Sequence, residues 1–286
     1  MDKIVLIKNA LGDPDYENEY GVIYNMDCAD GLAALSNANL NLDLTITSPP
    51  YNIGKEYEEI LPLNEYVNWL VRICNNIHNI TKNSGALLLN VGYLSIEKKG
   101  KAVPISYLLW DKINFFFQQE IIWNYGAGVA AKRFLSPRNE KIMWYIKDST
   151  YYTFNLDEIR DPDVKYPNQK KNGKLRCNTL GKNPSDVWQI AKVTSGMNRA
   201  SEERTNHPAQ FPEDLIERMV KGFSNVNDLI LDPFMGSGTT ARTAMLNDRK
   251  FVGFEIDTNY FKIIKRRLDR TVEEINNKKN TLSLFD

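Results

Sequence analysis

Two short stretches carry side chains whose types and spacing suit chemistry. The first, "DPFMGSGTT" at 232–240, places an acid, two glycines and three hydroxyl side chains at the end of the apolar run "DLILD". Gly236 and Gly238 permit a tight turn and close approach of backbone to a ligand. Ser237, Thr239 and Thr240 can satisfy the open amides of a helix start, whose positive end suits a carboxylate or phosphate. A phosphate-binding P-loop requires a lysine before its Ser/Thr, and Thr239 stands there instead. The dinucleotide fingerprint also fails, because Ala241 occupies the place of its third glycine. One helix later the run "FVGFE" ends on Glu255. An acid at the tip of the second strand of a doubly wound sheet grips ribose hydroxyls. Alone, Glu255 reads as a solvated strand end; after this glycine turn it reads as a ligand. The pair predicts a site for a nucleoside joined to something charged, without pyrophosphate machinery.

The second stretch is "TSPPY" at 47–51, which ends the apolar run "LDLTIT". Pro49 and Pro50 lack N–H donors and fix φ, so the chain leaves the strand stiffly, with its carbonyls presented outward. Tyr51 then puts an aromatic ring at the end of that rigid segment.

Elements must hold these stretches in place. Apolar runs at 21–27, 42–47, 86–91, 119–124, 141–146, 228–232 and 250–255 read as buried strands. Residues 63–80 put Tyr66, Leu70, Ile73 and Ile77 on one face at helical spacing, and 212–223 and 258–277 behave alike, opened by Pro212 and Thr258. Strands alternating with helices predict an α/β fold, a doubly wound, mostly parallel sheet with helices on both faces. Residues 228–232 and 42–47 are expected to be neighbouring parallel strands, so that both stretches meet.

Composition sets the outer bounds. With 42% hydrophobic and 25% charged residues the chain can form a globular core. Lys plus Arg and Asp plus Glu are equal at 36 each, so net charge says nothing about a polyanionic partner. Cys28, Cys74 and Cys177 lie far apart and there are 2 histidines, which gives no metal-ligand spacing and no disulfide framework. The charged N-terminus and the lack of a long apolar run predict a soluble, cytoplasmic protein without a membrane span. One region breaks the rhythm. From 155 to 205 the chain is polar, and between Asp163 and Asp186 it carries Lys165, Lys170, Lys171, Lys174, Arg176 and Lys182 with no acid. A charge run alone is a solvated loop, yet a long loop in a compact domain is usually functional, and confined positive charge is what phosphate contacts require. A second basic segment, 126–139 with Lys132, Arg133 and Arg138, is the alternative place for such contacts.

Together, "TSPPY" and "DPFMGSGTT" resemble the amino-group DNA methyltransferases that use S-adenosylmethionine. The first motif precedes the second, an order similar to the permuted beta class. The likeness extends to "YNMDCADGL", "PRNEKIMWYIKDSTYYTFN" and "HPAQFPEDLIERMV", and so covers most of the chain. It implies a Rossmann-like methyltransferase fold with a small target-recognition insertion: 1–154 as catalytic half, 155–205 as insertion and 206–286 as cofactor half. It implies Ser48, Pro49, Pro50 and Tyr51 as catalytic residues. Ser48 Oγ and the Pro49 carbonyl would each accept a hydrogen of the target amine, and Tyr51 would stack on a base flipped from the duplex. S-adenosylmethionine would have its methionine end at Asp232, Pro233, Phe234 and the turn Gly236, Ser237, Gly238, Thr239, Thr240, its ribose at Glu255 and its adenine at Asp27. Double-stranded DNA would be the partner, met by Lys170, Lys171, Lys174 and Arg176, with a separately acting restriction endonuclease as companion; no metal is implied. Ser48 and "HPAQFP" resemble the cytosine-N4 members more than the adenine-N6 members, and adenine N6 is the alternative. A non-catalytic DNA- or cofactor-binding regulator has no need of both intact motifs. A methyltransferase acting on protein glutamine or on RNA more often resembles an Asn-Pro-Pro-Tyr form.

Overall fold

The computed structural model describes residues 2–56, 58–128, 130–194 and 201–282. In chain order its elements begin with α1 (Lys3–Leu11), β1 (Tyr16–Asn18), β2 (Gly21–Tyr24), α2 (Cys28–Leu35), β3 (Leu42–Thr47), α3 (Leu63–Ile80) and β4 (Thr81–Val91). Next come β5 (Tyr93–Ile96), β6 (Gly100–Pro104), α4 (Ser106–Leu109), β7 (Phe116–Asn124), β8 (Asn139–Ile146) and a 3-10 turn at Leu156–Ile159. The remainder is β9 (Lys170–Lys171), β10 (Lys174–Leu175), β11 (Val187–Gln189), α5 (Glu213–Phe223), β12 (Leu229–Asp232), α6 (Thr239–Leu246), β13 (Lys250–Phe254) and α7 (Thr258–Leu282).

A 9-stranded sheet runs in the order β1-β2-β13-β12-β3-β4-β8-β7-β11. Strands β2, β13, β12, β3 and β4 are mutually parallel, while β8 runs antiparallel to both of its neighbours, β4 and β7, so that β7 points the same way as the parallel strands. The expected neighbours pair directly, with Ile230 opposite Leu44 and Leu231 opposite Thr45. Apolar runs without polar alternation form strands here because both faces are covered. Successive residues of β4 enter opposite cores: Leu87 and Leu89 meet α1, α2 and α3 through Ile7, Leu32 and Leu70. Ala86 and Leu88 meet α5, α6 and α7 through Leu215, Ala241 and Ile264. Each of these leucines and isoleucines, fully buried, contributes about 1.5–3 kcal/mol relative to exposure. From β12 the chain winds one way through α6 to β13, and from β3 the other way through α3 to β4. Ligands of doubly wound sheets bind outside the carboxyl ends of the strands at this switch point. Both motifs leave the sheet there.

Several boundaries differ from the sequence reading. Strand β2 stops at Tyr24, and Asp27 instead caps α2, accepting the Ala29 N–H. Strand β13 stops at Phe254, one residue before Glu255. The segment 155–205 is not a loop throughout. Its first turn lays Ile159 against Gly222 of α5, and β11 near its end pairs in parallel with β7, burying Trp188. Residues 195–200 of that segment lie outside the described residues. Among the described residues, no helix is long and apolar enough to cross a membrane.

Candidate active site

Asp232 ends β12 and is buried. Its carboxylate accepts hydrogen bonds from Thr47 Oγ1 (2.8 Å), Thr240 Oγ1 (2.7 Å) and the Phe234 N–H (3.1 Å). It therefore ties the last residue of β3 to the first turn of α6. Burial pushes its pKa up to about 6, against the pull of those three donors. Gly236 and Gly238 both adopt left-handed φ, 53° and 74°. A Cβ at Gly236 would come within 2.8 Å of the His207 ring, so the turn needs glycine for space as well as for conformation. The turn is held from behind by Arg267 of α7, which donates to Ser237 O (3.0 Å) and Thr239 Oγ1 (2.8 Å) and pairs with Glu213 (2.6 Å). Ser237 and Thr239 also bond to each other (3.0 Å). These two hydroxyls brace the turn.

Glu255, 8% exposed, follows β13. Its Oε2 accepts the Gly236 N–H (2.7 Å) and its Oε1 the Asp257 N–H (2.9 Å). Burial pushes its pKa up to about 7 in spite of those bonds. Asp27 faces the same cleft while capping α2.

Ser48 to Tyr51 leave β3 on the other side of the switch point. Tyr66 of α3 donates its hydroxyl to Pro50 O (2.9 Å), and the Tyr51 ring lies so close to Gly92 that a Cβ there would be 2.8 Å away. The Tyr51 hydroxyl is the hub of a polar cluster. It lies 2.9 Å from Ser48 Oγ, donates to Glu140 Oε2 (2.9 Å) and accepts from Asn90 Nδ2 (2.7 Å). Asn90 Nδ2 also reaches Glu140 Oε2 (2.7 Å), and Lys192 Nζ donates to Glu140 Oε1 (2.8 Å). Burial, then the Glu140 charge, hold the Tyr51 phenol well above its ordinary range, so it is a neutral hydroxyl.

Both stretches open into one cleft of about 600 Å³, which takes in Asp27, Ser48 to Tyr51, Asp232 to Phe234, the glycine turn and Glu255. That volume suits a nucleoside-sized ligand together with a second ring. The family model for N6/N4 DNA methylases matches residues 42–266. The chain belongs to that family.

Among its relatives, the methylase is 53% identical to the Type II methyltransferase M.ScaI of Streptomyces caespitosus, over 94% of this chain and 88% of that protein. It is 33% identical to the DNA adenine methyltransferase YhdJ of Escherichia coli (strain K12), over 84% and 81%. In fold it matches the PvuII DNA methyltransferase (cytosine-N4-specific) with a TM-score of 0.69, at 20% identity, over 89% and 88%. The doubly wound sheet is thus a methyltransferase fold.

The methylase cleft contains side chains that sequence reasoning did not single out. Trp69 stands 5.7 Å from Phe234 ring to ring, and His207 packs edge-on to Tyr260 at 4.4 Å. Burial holds the His207 imidazole down at about 4. Asn90, Glu140 and Lys192 come from three separate segments, so no local spacing joins them. The signals were indirect: Asn90 sits near the end of the apolar run 86–91, and Glu140 lies in the "PRNEKIMWYIKDSTYYTFN" stretch just before the run 141–146.

The four basic residues expected to meet DNA lie outside the cleft. Strands β9 and β10 form a hairpin, pairing Lys171 with Lys174 and Lys170 with Leu175. Its two turn residues, Asn172 and Gly173, have φ of 52° and 78°, the pattern of a tight primed turn. Arg176 extends it, donating its backbone N–H to Gln169 O (2.9 Å) and its guanidinium to Gln169 Oε1 (3.3 Å). All four are exposed. No group of residues suited to hold a metal ion occurs among the described residues.

Proposed function

We propose that this methylase is a site-specific, Type II DNA methyltransferase that methylates the exocyclic N4 of a flipped cytosine, using S-adenosylmethionine. The observation that carries the reading is the Thr47–Asp232–Thr240 clamp, which fixes the two motifs as walls of one cleft. S-adenosylmethionine supplies an electrophilic methyl on a sulfonium. Glu255 would hold the ribose and Asp27 the adenine. The glycine turn would receive the methionine end, with Trp69 and Phe234 beside it. On the other wall, Ser48 Oγ and the Pro49 carbonyl would accept the hydrogens of the target amine, favouring a pyramidal nitrogen whose lone pair faces the methyl. Tyr51 would stack on the base, contributing about 1–3 kcal/mol.

Duplex DNA would lie against the basic hairpin. Lys171 and Lys174 are directly paired like charges, an arrangement that costs stability unless a polyanion neutralises it. The region 155–205 would be the recognition insertion, most of it between the two ends that are built into the main domain. A restriction endonuclease would act separately on the same site.

Cytosine is favoured by Ser48 and by the "HPAQFP" stretch. Adenine N6 is the second reading, supported by the 33% identity to a DNA adenine methyltransferase. The experiment is to incubate the protein with plasmid DNA and tritiated S-adenosylmethionine, digest to nucleosides and separate them. Label in N4-methyl-2′-deoxycytidine supports the first reading, and label in N6-methyl-2′-deoxyadenosine replaces it by the second.

A further inference from the structure

The polar cluster beneath Ser48 has a direction. Tyr51 gives its single hydroxyl hydrogen to Glu140 and receives one from Asn90, so its remaining lone pair faces Ser48 Oγ at 2.9 Å. Ser48 can then donate toward Tyr51 while its own lone pairs stay open to the cleft. Asn90 is buried and spends one amide hydrogen on Tyr51 and the other on Glu140, leaving its Oδ1 without a partner among the described residues. A buried amide left half-satisfied fits a role in aiming its two neighbours.

We propose that Glu140 takes up the proton that the methylated amine must shed, delivered through Ser48 and Tyr51. This rests on the DNA methyltransferase reading above. The amine nitrogen forms its bond to the methyl carbon with its own lone pair, and the carbon–sulfur pair departs with sulfur as a neutral thioether. The nitrogen is then cationic and still holds two hydrogens. Ser48 Oγ accepts one, the Ser48 hydrogen passes to the Tyr51 oxygen, and the Tyr51 hydrogen passes to Glu140 Oε2. The N–H electrons stay on nitrogen, one carboxylate becomes a carboxylic acid, and nothing is oxidised or reduced. Glu140, whose side chain is 14% exposed, resets by releasing the proton to water. Both hand-over distances are 2.9 Å, within the reach that proton transfer needs.

The Tyr51 phenol, held neutral, serves as a conduit whose own proton leaves as the next arrives. The groups that face Glu140 are Tyr51, Asn90, Lys192 and, across from it on β7, Trp123. Lys192 also lies 3.7 Å above the Tyr125 ring, so the ammonium that fixes Glu140 is itself fixed. Lys141, the next residue, turns to Glu120 instead (4.0 Å). In this relay Glu140 acts through Tyr51.

The test is single-turnover methylation of plasmid DNA with tritiated S-adenosylmethionine, comparing wild type, Glu140→Gln, Glu140→Asp, Tyr51→Phe and the double variant Glu140→Gln/Tyr51→Phe. Each of Glu140→Gln and Tyr51→Phe should slow transfer about tenfold or more, with cofactor affinity by calorimetry unchanged. The double variant should be no slower than the worse single, because one relay is broken once. Glu140→Asp should recover part of the rate. A wild-type rate in Glu140→Gln, multiplicative losses in the double variant, or no recovery in Glu140→Asp overturns the relay. If Glu140→Gln does not fold, Tyr51→Phe decides, since it keeps the ring and removes only the conduit; full rate there overturns the proposal. A wild-type protein that labels no DNA overturns the methyltransferase reading, and the relay falls with it.

Discussion

The glycine turn after β12 and the basic hairpin of β9 and β10 both carry residues expected to bind a charged ligand, and they are held in opposite ways. The turn is braced by charges that are already satisfied: Arg267 with Glu213, Arg242 with Glu213 and Glu274, Asp232 with two threonines. The hairpin has a two-residue turn, exposed side chains, and no salt bridge from Lys170, Lys171 or Lys174 to any described residue. A pocket for one small molecule gains affinity when its donors are fixed before binding, because little ordering remains to be done. A face that follows a backbone of phosphates gains from free cations, each of which releases a counterion on contact. The first region is built inward and the second outward.

Arg267→Ala should separate the two most sharply. Its side chain is 10% exposed, and its loss takes one guanidinium from Glu213 and the donor from Ser237 O and Thr239 Oγ1. Arg242 still pairs with Glu213, so the cost should be about 2–3 kcal/mol, below the full penalty of an abandoned buried charge. Urea unfolding would show it as a lower midpoint with an unchanged slope. Lys170→Ala, Lys171→Ala and Lys174→Ala should each stay within about 0.5 kcal/mol of wild type. Equal midpoints for Arg267→Ala and the lysine variants would erase the contrast.

Glu255 offers a smaller effect with a distinctive pH signature. Its folded pKa, about 7, lies above the ordinary 4.5, so the native protein binds the proton more tightly than the unfolded chain does. Its contribution to stability is therefore greatest below 4.5 and declines as pH rises through about 7. Cofactor binding should run the other way. Ribose hydroxyls donate to the ionised carboxylate, so affinity should rise with pH through the same range. Glu255→Gln should weaken binding by about 1.5–3 kcal/mol at pH 8 and flatten that rise. Calorimetry at several pH values reads both, and a Glu255→Gln protein with wild-type affinity and pH dependence would leave Glu255 as a brace for Gly236 alone.

The same contrast explains what the sequence made legible. Strands buried on both faces and helices with one apolar face announce themselves, which is why 42–47 and 63–80 coincide with β3 and α3. The cleft's two main walls were legible because each is a contiguous motif at a strand end. The beginning of β4 was not, since "TKNSG" is polar and reads as loop, yet it continues without a break from α3 into the sheet. Strand β11 is three residues long and becomes a strand only because β7 lies beside it. Asn90, Glu140 and Lys192 were invisible as a group, since the fold alone brings them to Tyr51. Asp27 and Glu255 were found at the cleft, but their bonds to Ala29 and to Gly236 and Asp257 depend on where the strands stop.

The smallest effects are expected at the hairpin, and they should appear only with DNA and salt. Lys171 and Lys174 stand opposite each other, Lys170 and Arg176 flank them, and all four can meet one stretch of phosphates. A phosphate contact makes a definite claim: each one lost should flatten the plot of log affinity against log salt by about 0.9. Lys170→Ala, Lys171→Ala and Lys174→Ala should do this on specific and random duplexes alike, since an ammonium meets phosphate as a point charge. Arg176 has a planar fork that can pair with guanine O6 and N7, and it is tethered to Gln169 rather than to an acid. Arg176→Ala should therefore lose about 1–3 kcal/mol at one position of the site and relax specificity there. The unsubstituted hairpin pays for its Lys171–Lys174 repulsion in the absence of DNA, so Lys174→Ala should also leave the free protein equally or slightly more stable. If all four variants bind both duplexes as wild type does, the hairpin is a solvated loop. Recognition would then pass to the segment between β7 and β8, where Lys132, Arg133 and Arg138 stand beside the exposed Phe134 and Leu135.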